Sequence, residues 1–411
     1  MLNKQWIYDW NPQTKLKTKI ELVDESLRDA LQSPSVHIPS IEEKIKIIDY
    51  LEELKVARVD LGLPGAGQKA CEEAVVLARH IVGQKYSIKP YCCLRTHIKD
   101  IEALASICDK AKTEIGAYTF VGTSPIRQYV ENWTVSSLMD TVRVAIQRGN
   151  ELGLAMTFIT EDTTRTPPKI LRELFLQAID LGSVRIVLCD TVGHSTPEGV
   201  IKIVKWTRNL IASTKRSVSI DWHGHNDRGL GVINALVALE AGCLGVHGSA
   251  LGVGERTGNS SLDQIIVNLD LLGKFSGNPA VLVPFVKFCA QAYGIEIPAN
   301  YPVAGRDAFR TSTGVHASAI LKASKKGASN MADAIYSSVP AHRFGCEQVI
   351  EIGPMSGKAN VSYWLEKNGY KASAELINQI LIVAKNSQTI LTSNELEKIV
   401  SQFHSVSKKV G

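Results

Sequence analysis

The chain has 411 residues, of which 45% are hydrophobic and 21% charged, a composition typical of a globular protein. It has no apolar run of the roughly eighteen residues that a membrane span needs, and its polar N-terminus lacks the apolar core of a secretory signal. A net charge of +5 gives no case for a nucleic-acid partner. Eight cysteines without a Cys-x-x-Cys pair favour reduced thiols, so we expect a cytoplasmic protein.

Strand-like and helix-like segments alternate along the first two thirds of the chain. The predicted strands are 19–23, 57–61, 86–94, 114–121, 155–160, 184–189, 218–222 and 244–249. The predicted helices that follow them are 41–54, 70–81, 98–108, 135–150, 168–181, 197–211, 231–241 and 262–272. Eight such units in about 250 residues predict a (β/α)8 TIM barrel. The alternative is an open, doubly wound sheet, but no glycine-rich dinucleotide fingerprint follows the first strand.

The pattern changes beyond residue 277, where prolines punctuate short segments. These prolines are Pro279, Pro284, Pro298 and Pro302. We therefore predict an N-terminal extension at 1–18, a catalytic barrel at 19–276 and a small, mainly helical C-terminal subdomain at 277–411.

Polar residues follow several predicted strands, at the end of a barrel where active sites lie. His223 and His225 stand two apart at the end of a strand, so their side chains point the same way and could hold one metal ion. Two histidines that only hydrogen-bond in a turn are the alternative, but the Asn-Asp that follows favours a metal. A carboxylate after the first strand could complete the site, and Asn259 could supply an amide oxygen.

Three further features have both a functional and a structural interpretation. Arg28 could hold a substrate carboxylate, or belong to a capping cluster at the strand end. Glu161 could act as a base, or cap the helix that follows it. The loop 252–259 has three glycines and, by itself, is a weak signal for a phosphate site.

Three motifs at these strand ends resemble those of the α-isopropylmalate synthase family, which is grouped with homocitrate and citramalate synthases. They are Asp-x-Ser-Leu-Arg-Asp at 24–29, His-Gly-His-Asn-Asp at 223–227 and Gly-x-Gly-Glu-Arg-x-Gly-Asn at 252–259. The resemblance runs from about residue 20 to 390. The chain departs from the family pattern at Ala30, at Tyr118 and at 248–252, and these departures bear on substrate choice.

The resemblance implies roles for individual residues. Asp29, His223 and His225 match the metal ligands, and Asn259 matches a position that ligates directly or through water. Arg28 matches the arginine that polarises the keto oxygen, while Glu161 and Thr191 match substrate-contacting positions. His316 and Tyr336 match residues of the C-terminal subdomain that, in known members, reach the barrel of the partner subunit, which implies a homodimer.

The resemblance further implies a Claisen-type condensation of acetyl-CoA with a 2-keto acid, helped by a divalent Zn, Mn, Mg or Co ion. His316 with Tyr336 nearby is the favoured general base, and Glu161 is the other candidate. Asp60-Leu61-Gly62-Leu63-Pro64 is close to the Glu-x-Gly-Phe-Pro of isopropylmalate synthases and favours 2-ketoisovalerate, the substrate of leucine biosynthesis. Pyruvate, 2-ketobutyrate and 2-ketoglutarate stay open, so citramalate and homocitrate synthases are alternatives.

Two more distant alternatives are a lyase of the hydroxymethylglutaryl-CoA type and a non-catalytic metal-binding barrel. Such lyases carry a cysteine in the glycine loop, and the loop 252–259 has none. Residues 359–411 match the end of the family's linking subdomain, so we expect no leucine-binding regulatory domain and no inhibition by leucine at a second site.

Overall fold

A closed parallel barrel forms the larger part of the molecule. The computed structural model describes residues 6–11, 16, 19–327 and 329–410. Within these residues eight strands pair in chain order, and the eighth pairs with the first. They are β1 (Glu21–Asp24), β2 (Arg58–Asp60), β3 (Lys89–Arg95), β4 (Gly116–Gly122), β5 (Met156–Glu161), β6 (Arg185–Asp190), β7 (Ser219–Gly224) and β8 (Gly245–Gly248).

Helices follow the strands around the barrel, as the alternation of the sequence predicts. They are α1 (Ile41–Glu53), α2 (Gln68–Gly83), α3 (Ile98–Ala111), α4 (Pro125–Glu131), α5 (Val135–Glu151), α6 (Pro168–Asp180), α7 (Pro197–Thr214), α8 (Gly231–Ala241), α9 (Leu262–Leu271) and α10 (Leu282–Tyr293). The predicted TIM barrel is therefore confirmed. We did not predict α4, because this seven-residue helix buries no side chain and gives no hydrophobic period.

Local sequence signals explain where several helices begin. The Ser40 hydroxyl accepts a hydrogen bond from the Glu43 backbone, and the Glu43 carboxylate accepts one from the Ser40 backbone. This capping box satisfies two backbone donors at the start of α1. Pro168 and Pro197 open α6 and α7, where a helix has no use for the missing N–H.

Contacts between residues divide the chain into two compact units. The barrel unit comprises residues 13–296, and the C-terminal unit comprises residues 297–411 together with 1–12. The barrel unit thus runs past residue 276, where the prolines suggested a boundary, because α10 packs against α1. Of the predicted N-terminal extension, residues 1–5, 12–15 and 17–18 lie outside the described residues.

The C-terminal unit is mainly helical, which confirms that part of the predicted fold class. It contains α11 (Gly314–Lys325), α12 (Ser329–Ala334), α13 (Lys358–Lys367), α14 (Ala374–Asn386) and α15 (Ser393–Val410), with a short parallel pair, β9 (Arg310–Thr311) and β10 (Val349–Ile350). Its largest apolar core packs Val361, Leu365, Leu376 and Ile380 together. None of the described helices in either unit has the length and hydrophobicity of a membrane span.

Inside the barrel, side chains from β1, β4, β5 and β6 form an apolar cluster. It consists of Val23, Tyr118, Ile159, Val187 and Cys189, with Tyr91 and Phe120 packed against it. Because side chains alternate along a strand, the neighbours of these residues face the outer helices. Phe158 shows this, since its ring contacts Phe175 of α6. The apolar cluster therefore lies inside the barrel, and most of its members come from β4, β5 and β6.

Candidate metal centre

Two histidines at the end of β7 face each other closely. His223 is in the strand and His225 follows it, and each is only 7% exposed. Their Nε2 atoms lie 3.4 Å apart. The predicted two-residue spacing thus places both imidazoles on one side, inside the barrel mouth.

Asp29, in the loop after β1, lies close to the two histidines. Its Oδ2 lies 3.2 Å from Nε2 of His223 and 3.8 Å from Nε2 of His225. Asp29, His223 and His225 form one buried group, called the metal group below. Their possible ligand atoms all lie within 4.8 Å of one another. Because β8 pairs with β1, closure of the barrel brings the loop after β1 to the end of β7.

Asn259 lies beside this group. Its backbone bridges that of His225, and its side-chain Nδ2 donates to the carbonyl of Val253 at 3.1 Å. The Oδ1 of Asn259 and the Oδ1 of Asp29 are both buried without a hydrogen-bond partner. Buried acceptors are seldom left unpaired in proteins. Two orphan oxygens beside two imidazoles fit the mixed nitrogen and oxygen ligands of a divalent metal ion.

Electrostatics divide the two histidines. Burial opposes the ionisation of Asp29, but Arg28 and His223 outweigh it and hold its pKa well below the usual range. Burial also opposes protonation of His223, but the nearby carboxylates of Asp29 and Glu25 raise its pKa to about 9. Burial and the neighbouring His223 lower the pKa of His225 to about 4. Asp29 and His225 are therefore ready to ligate at neutral pH, whereas His223 must first lose a proton.

Arg28 is held by three acidic side chains. Its Nη2 lies 2.6 Å from Glu25, its Nη1 lies 3.1 Å from Asp29, and its Nε lies 3.1 Å from Asp60. Burial and the nearby Glu25 raise the pKa of Asp60 to about 8. The guanidinium is thus fixed next to the metal group, with contacts that a flexible lysine could not reproduce.

Glu161 and Thr191 lie on neighbouring strand ends rather than in the metal group. Glu161 Oε1 faces the guanidinium of Arg127 at 3.4 Å, and burial raises the pKa of its carboxyl. The Thr191 hydroxyl accepts a hydrogen bond from the backbone of Asp162 at 2.8 Å. Local contacts therefore occupy both residues, and their predicted contacts with substrate stay predictions.

The glycine loop is tied down by Arg256. Its guanidinium makes two bonds of 2.9 Å with Asp227 and one of 2.7 Å with the carbonyl of Thr191. The contact between Arg256 and the neighbouring Glu255 is longer, at 3.8 Å. Arg256 therefore joins the loops after β6, β7 and β8, and holds the segment that carries Asn259.

His316 and Tyr336 meet within the C-terminal unit. Their rings stack with centroids 3.9 Å apart, and both line a cavity of about 120 Å³ together with Arg310 and Asp333. Tyr336 is 50% exposed. His316 in α11 and Tyr336 after α12 are therefore in direct contact, although they are far apart in the sequence.

The sequence interpretation missed a second buried group beside the first. Glu25, His223 and His247 also have ligand atoms within 4.8 Å of one another. Asp221, two residues before His223 on β7, forms ion pairs with Arg58 and Arg185. His247 lies within the predicted strand 244–249, so its place on a strand could be predicted. Nothing local in the sequence indicates which interior side chains meet across a barrel.

Comparisons with known proteins identify the family of this chain. The family model described as HMGL-like matches residues 19–287. The chain belongs to the HMGL-like family. This confirms the relationship inferred from the motifs, and the matched region includes the metal group and Arg28.

Curated relatives of this HMGL-like protein extend the match beyond the barrel. The 2-isopropylmalate synthase of Pyrococcus furiosus is 30% identical over 394 residues, which cover 93% of this chain and 76% of the relative. The homocitrate synthase AksA of Methanopyrus kandleri is 28% identical, over 94% of this chain and 92% of the relative. The solved HMG-CoA lyase of Bacillus subtilis matches with a TM-score of 0.57 at 19% identity, covering 69% of this chain and 96% of that one. That likeness shows the fold alone.

Proposed function

We propose that this HMGL-like protein is an acyltransferase that condenses acetyl-CoA with a 2-keto acid, and that its substrate is 2-ketoisovalerate, giving 2-isopropylmalate. The observation that carries the proposal is the buried group of Asp29, His223 and His225 with Arg28 fixed beside it. The two kinds of curated relative, 2-isopropylmalate and homocitrate synthases, support the same reaction class.

Asp29, His223, His225 and Asn259 would hold the metal ion. When bound, a divalent ion supplies Lewis-acid polarisation of the keto carbonyl. Arg28 donates hydrogen bonds to the keto oxygen as negative charge develops on it, in an environment where burial strengthens the interaction. Its three acidic partners keep the guanidinium in place without reorganisation during the reaction.

A base then removes a proton from the methyl group of acetyl-CoA. We assign this step to His316, with Tyr336 stacked on its ring, and keep Glu161 as the alternative base. The methyl carbon forms a bond with the keto carbon, and the keto oxygen takes up a proton. Water then cleaves the thioester, which releases the CoA thiol and leaves a new carboxylate.

The apolar cluster supports the choice of 2-ketoisovalerate. Tyr118 and Ile159 belong to the buried cluster, and Phe120 packs against it. The two arginines deeper in the barrel, Arg58 and Arg185, are already paired with Asp221 and Glu21. A branched hydrocarbon side chain would suit this side of the barrel better than the second carboxylate of 2-ketoglutarate.

One observation favours homocitrate synthase as a second candidate. The match to AksA of Methanopyrus kandleri covers more than nine tenths of both chains, with 94% of this chain and 92% of the relative. The two candidates differ in substrate, so the same experiment separates them.

The test measures thiol release from acetyl-CoA with 2-ketoisovalerate, pyruvate, 2-ketobutyrate and 2-ketoglutarate, followed by mass analysis of the products. A reaction without keto acid corrects for simple thioester hydrolysis. We expect the highest kcat/KM with 2-ketoisovalerate. Faster release with 2-ketoglutarate would establish the second candidate, and no keto-acid-dependent release would refute the condensation.

We further propose a homodimer in which His316 and Tyr336 serve the barrel of the partner subunit. Co-expression of an inactive Arg28 variant with an inactive His316 variant should then restore activity, because one complete site forms in each mixed dimer. Verified mixed dimers without activity would place the complete site within one chain. Cytoplasmic localisation and a role in leucine biosynthesis stay predictions.

A further inference from the structure

Glu25, the second residue of the motif at 24–29, is buried between Arg28 and two histidines. Its side chain is 1% exposed. One carboxylate oxygen, Oε2, accepts a hydrogen bond of 2.6 Å from Arg28. The other, Oε1, lies 2.6 Å from Nδ1 of His247 and 3.6 Å from Nδ1 of His223. One carboxylate therefore accepts a hydrogen bond from the arginine and lies 3.6 Å from a proposed metal ligand.

The position of Glu25 specifies how His223 would bind a metal ion. Nε2 of His223 faces Asp29 and His225, so this nitrogen is the one directed at the metal group. A neutral imidazole that ligates through Nε2 carries its proton on Nδ1. The Nδ1 of His223 faces the Oε1 of Glu25, 3.6 Å away. A carboxylate behind a ligating histidine fixes the orientation of the ring and increases the basicity of the ligand.

His247 supports Glu25 from the opposite side. Its Nδ1 donates to Glu25, and its Nε2 lies 3.5 Å from Oδ2 of Asp221. Asp221 is itself held by Arg58 and Arg185, which come from β2 and β6. Direct bonds to Arg28 and His247 therefore hold the carboxylate of Glu25, which has little freedom to turn away from His223.

We propose that Glu25 is a positioning residue that orients the metal ligand His223 through its Nδ1 and fixes Arg28 with its second oxygen. Glu25 does not touch the reacting atoms in this arrangement. It couples the metal centre to the arginine, so that both keep one geometry relative to each other. This inference rests on the proposed metal site, but not on the identity of the keto acid.

A simpler role for Glu25 would be to neutralise the buried charge of Arg28. Both roles predict that loss of Glu25 impairs catalysis, so activity alone cannot separate them. They differ for the metal ion, because neutralising Arg28 requires only a negative charge nearby. Orienting His223 requires both the charge and the full reach of a glutamate side chain.

The experiment uses purified full-length protein and Co²⁺, without acetyl-CoA or keto acid. Metal affinity is measured by competition with a chelator, and the visible absorption spectrum of bound Co²⁺ reports the ligand geometry. Glu25→Gln keeps the shape and removes the charge, whereas Glu25→Asp keeps the charge and shortens the reach. The control is Glu52→Gln, since Glu52 accepts its hydrogen bonds from Ser87 and Ile88 ahead of β3.

Both Glu25 variants should bind Co²⁺ about 10- to 100-fold more weakly than the wild type and with a changed spectrum, as expected for a residue behind a metal ligand. Glu52→Gln should match the wild type in both measurements. Circular dichroism verifies folding, and Glu25→Asp decides the question if Glu25→Gln does not fold. Wild-type affinity and spectrum in a folded Glu25→Asp variant would overturn the positioning role alone. A wild type that binds no Co²⁺ would overturn the proposed metal centre as well.

Discussion

The two sides of the barrel interior differ in chemistry. The side built by β1, β2, β7 and β8 is a polar network that contains the metal group, and its members are Glu21, Glu25, Asp29, Arg58, Asp60, Asp221, His223 and His247. The side built by β4, β5 and β6 carries the apolar cluster, apart from Val23, which belongs to β1. Arg185 of β6 is an exception, and it pairs with Glu21 and Asp221 of the polar network.

This difference indicates a division of labour. Charged groups buried together are tolerated because each has a partner of opposite sign, as Arg58 has in Asp221 and Arg28 has in Glu25. Such a network can bind a cation and stabilise developing negative charge. The apolar cluster can do neither, but it can select the side chain of a substrate. The predictions below test this division, beginning with the polar network.

Removal of a metal ligand should have the largest effect. His223→Ala and His225→Ala each take one imidazole from the buried group, and metal affinity should fall by more than about 100-fold, beyond the range for residues behind ligands. Metal content after dialysis and turnover both report the loss. His404→Ala changes an exposed histidine and should leave both unchanged. Full metal content in both active-site variants would disprove this site.

Replacement of Arg28 should leave the metal bound but slow the reaction. Arg28→Lys keeps the charge and loses the planar fork that reaches Glu25, Asp29 and Asp60. The kcat should fall by about 100- to 1,000-fold, as when one preorganised donor to an oxyanion is lost. The control is Arg79→Lys on the surface of α2, where the arginine donates hydrogen bonds to the backbone carbonyl of Lys110. Near-normal turnover would show that Arg28 has only a structural role.

The pH dependence of metal binding should be about tenfold per pH unit. Before metal is added, the pKa of His223 is raised to about 9, so at pH 7 its ring is protonated. Binding must displace this proton, and affinity should therefore rise with pH until about pH 9. Asp29 and His225 are already deprotonated at pH 7 and add no further proton release. Calorimetry in buffers of different ionisation enthalpy counts the protons, and a count near zero at pH 7 would contradict this assignment.

The smallest effect should come from the apolar cluster. Ile159→Val removes one methylene from the side that would accept the substrate, which should shift preference by roughly tenfold toward a keto acid with a longer chain. The matched control is Ile186→Val, since Ile186 is also buried but alternates with the inward-facing Val187. Each variant should lose about 0.5–1.5 kcal/mol of stability. Equal kcat/KM ratios in both variants would show that Ile159 does not contact the substrate.

Much of the fold was predictable because its signals are local. Alternating strands and helices indicated the barrel, and the polar residues at strand ends indicated its active face. The helix α4 escaped prediction because it buries no side chain, and α10 belongs to the barrel unit through its packing on α1. A pattern in sequence shows that a helix is amphipathic, but not which partner its apolar face will find.

The sequence by itself determined that His223 and His225 share one side of a strand, because the two-residue period of a strand is set by covalent geometry. Only the tertiary structure decided that Glu25 would meet His247, since these residues are 222 positions apart and pair through closure of β1 against β8. The register of that closure places Glu25 behind His223 as well. The two histidines proposed as ligands could thus be predicted from local spacing, whereas the residues around them depend on long-range strand pairing that no local pattern encodes.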